Sequence, residues 1–171
     1  MTDDTERSGL KAEDIHFSSR LELAELSAQI AAQARRHLDI VSRSLEPEVY
    51  ETKDFLAAVQ KLVVTGRGRG RVRILVLDPE ALLSRSDHRL VNLALRVSSY
   101  VEIRRPGPDH VEFNEAMLIA DRKGVIHRKQ SDRYEGVANF HAPVRAAHLS
   151  ENFESIWTHA EPDPHFRRLM L

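Results

Sequence analysis

The residues with the most chemical reach lie near the end of one short apolar run, where His127-Arg128-Lys129 is followed by Arg133 and Tyr134. A histidine there could attack an electrophile while the flanking cations clamp a phosphate. The alternative is an exposed basic strand end. The nine histidines are otherwise scattered: His16, His37, His88, His110, His127, His141, His148, His159 and His165. None forms His-x-His or His-Glu-x-x-His, and His141 and His148, seven apart, share a helix face only if the last helix begins early, so no metal site is indicated. No Gly-x-Ser-x-Gly elbow is present. In Gly66-Arg67-Gly68-Arg69-Gly70-Arg71 the cations alternate with glycine. Such a loop could grip phosphates, and Arg71 and Arg73 would share one face of the strand that follows. It is equally a solvated turn, with no aromatic to stack a base and no Gly-Lys-Ser/Thr to make a phosphate cradle. Asp78-Pro79-Glu80 ends an apolar run, a position for a ligand in α/β proteins or for a local helix cap. Asp3-Asp4 reads as solvated charge.

The whole chain is less suggestive than these clusters. It has 171 residues, 42% hydrophobic and 30% charged, which suits one soluble domain with one core. A net charge of −1 provides no global field toward nucleic acid or acidic lipid. The absence of cysteine rules out disulfides and thiolate metal sites. The first residues, MTDDTERSG, lack the basic-then-apolar pattern of a secretory signal. No apolar run approaches the ~20 residues needed to span a bilayer. The expectation is a cytoplasmic protein without membrane contact or cofactor.

Period and punctuation place the elements. Residues 1–17 read as a flexible polar arm, residues 18–160 as the folded domain and residues 161–171 as a tail that lies across the surface or docks on a partner. Ser19 with Glu22 forms a capping box for a helix to about His37, with Leu23, Leu26, Ile30 and Ala34 on one face. Leu38–Ser44 alternates as a strand, and Pro47 marks a turn. Thr52 caps a second helix that Gly66 ends. Arg71–Asp78, RVRILVLD, is a strand apolar on both faces, which implies parallel neighbours. Asp87 caps a third helix, Tyr100–Arg104 is a short strand, and Glu115–Ile119 with Gly124–Arg128 is a hairpin. Lys129–His141 reads as a long polar loop. Pro143 opens a last helix that buries Leu149, Phe153, Ile156 and Trp157. The expected fold is α/β, a mixed and largely parallel sheet with helices on both faces.

This order of elements resembles one half of a phospholipase D-like fold. That family's signature is His-x-Lys, four residues, then Asp, with Gly-Ser and Asn further on. In Asn114-Glu115-Ala116-Met117-Leu118-Ile119-Ala120-Asp121, Asn114 stands at the histidine position, Ala116 at the lysine position, and Asp121 keeps its spacing. Gly136-Val137-Ala138-Asn139 resembles the family's Gly-Ser-Ala-Asn, with Val137 replacing serine and a longer gap from Asp121. Phe153 and Trp157 on the last helix add to the likeness, which covers roughly residues 38–159. The chain is also similar to a bacterial domain of unknown function related to this fold and sometimes appended to acyltransferase-like domains. The resemblance implies a histidine nucleophile on phosphorus and a second histidine from a paired half or a dimer. Asn114 cannot form a phosphohistidine and Ala116 cannot hold phosphate.

The expected function is therefore a non-catalytic, homodimeric binding or assembly module for a phosphate-bearing ligand, a partner protein or a fused domain. Its degenerate pocket would comprise Asn114, Ala116, Asp121, Gly136 and Asn139. Two alternatives are a phosphodiesterase using His127 with Arg128 and Arg133, and a less favoured nucleic-acid module using Arg67, Arg69, Arg71 and Arg73.

Overall fold

A computed structural model describes residues 13–85 and 87–163. Ser19 starts the first helix, α1 (Arg20–Ala32), by accepting the Glu22 N–H, and its hydroxyl donates to the Glu22 carboxylate. The helix buries Leu23, Ala24, Ser27, Ala28, Ile30 and Ala31. It stops five residues short of His37. The reason is Asp121, whose carboxylate accepts the backbone N–H groups of Arg35, Arg36 and His37 at 2.8, 2.9 and 2.9 Å. Donors that a longer helix would satisfy internally are satisfied from the sheet, and the chain turns into a strand.

In chain order the remaining elements are β1 (Ile15–Phe17), β2 (His37–Ser42), α2 (Pro47–Tyr50), α3 (Lys53–Thr65), β3 (Arg71–Val76), α4 (Pro79–Leu83), α5 (Arg89–Arg96), β4 (Val101–Arg105), β5 (Ala116–Ala120), β6 (Gly124–Arg128), β7 (Gly136–Asn139), α6 (Pro143–Thr158) and β8 (Glu161–Pro162), with a 3-10 turn at Pro108–His110 before β5. One sheet runs β1-β7-β6-β5-β2-β3-β4-β8. The expected mixed sheet is present, and β3 has parallel partners on both sides. The sheet is not largely parallel, because the other five pairings are antiparallel. Helical connections join β2, β3 and β4, whereas β5, β6 and β7 follow one another as a meander, which reverses direction at each turn.

Several local expectations shift. Residues 15–17, assigned to the arm, form β1 against β7. Residues 1–12 lie outside the described part of the chain. The loop assigned to Lys129–His141 contains β7, a strand too short and too small in side chain to show a period. Pro47 opens a helical turn, and Asp78 caps another by accepting the Ala81 N–H. His88 takes the capping role expected of Asp87, whose carboxylate accepts from Asn92. In the predicted tail, Glu161–Pro162 pairs with β4, and residues 164–171 lie outside the description.

The sheet divides the core in two. Phe17, Leu23, Ile30, Leu38, Ile40, Phe55, Leu62 and Ile74 lie in one cluster, which also holds buried residues of α2 and α5. Val41, Leu75, Met117, Ile119, Val125, Phe153 and Trp157 lie in the other, under α6. Each fully buried Leu, Ile or Phe contributes about 1.5–3 kcal/mol. Gly124 is required where α1 approaches β6, since a Cβ there would sit 2.5 Å from Gln33 Nε2 and 2.9 Å from Ile30 Cγ2.

Candidate functional site

The site forms where β2 ends and β5 begins. These strands are antiparallel with Val41 opposite Met117, so Ser42, Arg43, Asn114 and Ala116 lie at one end of the sheet. That end also receives the end of β6, because Arg128 pairs with Ala116. Directly opposed residues of an antiparallel pair point to the same face. The position that resembles the family's lysine therefore faces a buried arginine from the neighbouring strand.

Asn114 is exposed, and its side-chain oxygen accepts from Ser131 Oγ at 2.5 Å and from Arg43 Nη1 at 3.4 Å. Its carbonyl accepts the Ser131 N–H at 2.8 Å. Ala116 and Arg128 are each 1% exposed. Arg128 Nη1 donates to the Arg133 carbonyl at 2.8 Å, and Nη2 lies 3.4 Å from Glu46 Oε2. Burial raises the Glu46 carboxyl above its ordinary range, against the pull of Arg128. The Tyr50 phenol beside them is pushed up to about 12 by burial, against the pull of Arg128, which donates to it, and of its hydrogen bond with Ser42. Chemically this is an internal ion pair lined by hydroxyls under an exposed amide. Nothing in the set supplies a nucleophile with an adjacent base.

The five expected pocket residues do not converge. Asn114, Ala116 and Gly136 lie at this end of the sheet. Asp121 closes the β5–β6 turn at the other end, where it clamps α1 to β2, and Asn139 lies there too, opposite Val125. The Asn139 amide donates to Asp14, and its oxygen accepts the His141 N–H. Spacing in sequence suggested one motif, but a four-residue strand carries Asn139 the length of β6 away from Asn114. The segment beside Asn114 is the one running from Arg128 to Ser131.

The possible anion-binding residues are also dispersed. Strand alternation sends His127 to the face opposite Arg128, where Nε2 is 2.8 Å from Glu115 Oε1. The Arg133 side chain is 63% exposed and 3.6 Å from Glu135. The three residues of the phosphodiesterase alternative thus do not face one cleft. Arg67 and Arg69 are exposed in the turn leading into β3, at the sheet end away from Asn114. Arg71 donates to the Gly68 and Gly70 carbonyls and lies over Tyr100. Arg73 is removed from the proposed basic face by Asp39, which it grips at 2.9 and 3.1 Å, and by Glu154 at 2.5 Å. Among the described residues no cluster of three or more His, Asp or Glu could hold a metal, and no helix is long and apolar enough to cross a membrane.

Sequence reading missed Ser42, Arg43, Glu46, Tyr50 and Ser131. The first four carry no motif. Ser131 could have been found from its distance downstream of the strand that ends at Arg128.

No curated protein matches the chain. Solved structures share its fold. One is TrmBL2, an archaeal chromatin protein described as showing a novel mode of DNA binding, with 17% identity and a TM-score of 0.64 over 88% of this chain and 54% of that one. The chain thus spans about half the length of that protein. NucT from Helicobacter pylori is similar at 15% identity and a TM-score of 0.63, over 88% of this chain and 99% of that one. Nuc from Salmonella typhimurium, a phospholipase D family member, is similar at 15% identity and a TM-score of 0.58, with the same coverage. At these identities the likeness establishes a phospholipase D-like fold. Residues 19–169 match the family described as "Domain of unknown function (DUF7931)", and the chain belongs to that family.

Proposed function

We propose that the chain is a non-catalytic phospholipase D-like domain that works as a homodimeric binding or assembly module. The observation that carries this reading is the pairing of Ala116 with Arg128 beneath Asn114. The position that resembles the family's nucleophile holds an amide, and the nearest buried cation is already committed to Glu46 and a carbonyl. A phosphate-bearing ligand approaching this end meets Arg43 beside Asn114, with Lys129 and Arg133 exposed in the adjoining loop. Those groups can bind an anion through charge-assisted hydrogen bonds without attacking it.

The test combines an assay with a titration. The full chain is incubated with bis(p-nitrophenyl) phosphate, single- and double-stranded DNA, and phospholipid vesicles, and no turnover above the blank is expected. In parallel, inorganic phosphate is titrated by NMR, with the largest shifts expected at Arg43, Asn114 and Ser131 and their loss in Arg43→Ala. Turnover that disappears in His127→Ala overturns the proposal. Light scattering checks the dimer, and a monomer at all accessible concentrations removes that part of it. Shifts confined to Arg67 and Arg69 on adding DNA, weakening steeply with salt, would favour the nucleic-acid alternative.

A further inference from the structure

Beyond the ends of β3 and β4 lies a cleft of about 500 Å³ that the proposed anion site does not use. Its apolar wall includes Leu77, Leu83, Val111 and Phe113, and Val111 is 74% exposed. Its lining is acidic, with Asp78, Glu80, Glu161 and the buried Asp163 against Arg105 as the one arginine or lysine among the lining residues. Glu161 lies 3.4 Å from that arginine, and Asp78 caps α4. His110 also lines the cleft, and its Nδ1 is buried without a hydrogen-bond partner among the described residues. An apolar trough lined by carboxylates and an unpaired ring nitrogen fits a segment that carries both aliphatic and cationic side chains.

We propose that this cleft is the docking site of the chain's own segment 164–171, Pro164-His165-Phe166-Arg167-Arg168-Leu169-Met170-Leu171. Three observations select this occupant. Asp163, the residue before the segment, is itself part of the lining, so the segment starts at the mouth of the cleft. Eight residues reach about 26–29 Å when extended, ample to cross a cleft of this volume. The segment also complements the lining in both respects: Phe166, Leu169, Met170 and Leu171 suit the wall, and Arg167 and Arg168 suit the carboxylates. This inference does not depend on the anion site being non-catalytic.

The absence of cysteine in the chain makes the test clean. In the full-length protein Leu83→Cys is paired with Leu169→Cys, and a control pairs Leu21→Cys, on the far groove between α1 and α3, with Leu169→Cys. On mild oxidation the first pair is expected to form an intramolecular disulfide at least tenfold faster than the control, at a rate independent of protein concentration. In Glu80→Lys/Glu161→Lys the rate falls, by about threefold for each exposed ion pair lost, and Arg167→Glu/Arg168→Glu in the same chain restores it. Equal rates for the two cysteine pairs overturn the proposal. So does a disulfide that forms only between molecules, which would assign the cleft to a second copy, or a rate that ignores the charge reversals.

Discussion

Two arginines on opposite faces of the sheet, Arg73 half-buried and Arg128 buried, show how differently the fold treats the same side chain. Arg73 on β3 is gripped by Asp39 through two hydrogen bonds, bonded again by Glu154, and laid over Phe153 and Trp157 with its guanidinium carbon 4.8 and 5.5 Å from the ring centroids. Arg128 on β6 is more deeply buried, yet it has one carboxylate at 3.4 Å, one carbonyl at 2.8 Å and the neutral Tyr50 phenol. Arg73 ties α6 to the sheet. Arg128 sits at the sheet end that carries Asn114, opposite Ala116. The contrast suggests that Arg73 is a fastening, whereas Arg128 fills space and charge where the resemblance to the family expects a lysine. A buried pair is weak evidence of stability in itself, but breaking one is costly.

The sharpest way to break the comparison is to remove Arg128. In Arg128→Met the Glu46 carboxylate, only 13% exposed, is left in the core without its cation. Chemical denaturation should show a loss of about 3–5 kcal/mol. Adding Glu46→Gln should recover half or more of it, because the cost lies in the orphaned charge and not in lost packing. If Arg128→Met proves as stable as the parent chain, Arg128 offsets no cost at Glu46, and the comparison fails.

Arg73→Met should cost less, about 2–3 kcal/mol. Asp39 is 7% exposed and pays for its desolvation through Arg73, whereas Glu154 at 42% contributes little. The methionine keeps an apolar stem against Phe153 and Trp157, which limits the damage to the electrostatic part. A larger loss than that from Arg128→Met, measured by the same denaturation, would reverse the ranking of the two sites.

The unequal visibility of these two arginines marks how far the sequence could be read. The nearly continuous apolar run of Val72, Ile74, Val76 and Leu77 made β3 legible as a central strand, and Arg73 was seen to share a face with Arg71. Nothing local announced that Asp39, thirty-four residues earlier, would lie opposite it, because a strand apolar on both faces does not single out one register with its neighbour. Asp121 was legible as part of a motif, but its work as a clamp on Arg35, Arg36 and His37 was not. The hairpin of β5 and β6 was read correctly, since five apolar residues, a polar turn and a second apolar run leave little choice. Its three-residue loop holds a tight turn closed by the Lys123 N–H donating to the Ala120 carbonyl, and the two central residues, Asp121 and Arg122, have φ values of +53° and +56°, as a type I′ turn requires. The same reading erred one strand later. Val137-Ala138 is too brief an apolar stretch to reveal β7, so Asn139 was grouped with Asn114 by resemblance when the strand between them separates the two.

The smallest effect, and the one that sharpens the comparison furthest, is the opposite pH response of two glutamates. Glu154 is held below its ordinary value of 4.5 chiefly by the hydrogen bond from Arg73. It therefore adds stability that is complete above 4.5 and is lost as pH falls through its lower folded value. Glu46 is raised above 4.5 chiefly by burial. The folded chain binds that proton more tightly than the unfolded one, so the penalty present at neutral pH is relieved as pH falls through the raised value toward 4.5. Denaturation of the parent chain, Glu46→Gln and Glu154→Gln between about pH 7 and about pH 3 separates the two. On acidification the parent should gain on Glu46→Gln and lose its advantage over Glu154→Gln, the latter by under about 1 kcal/mol because Glu154 is well solvated. If both differences move in the same direction, the two arginines hold their carboxylates in the same way, and the distinction between a fastening and a filler disappears.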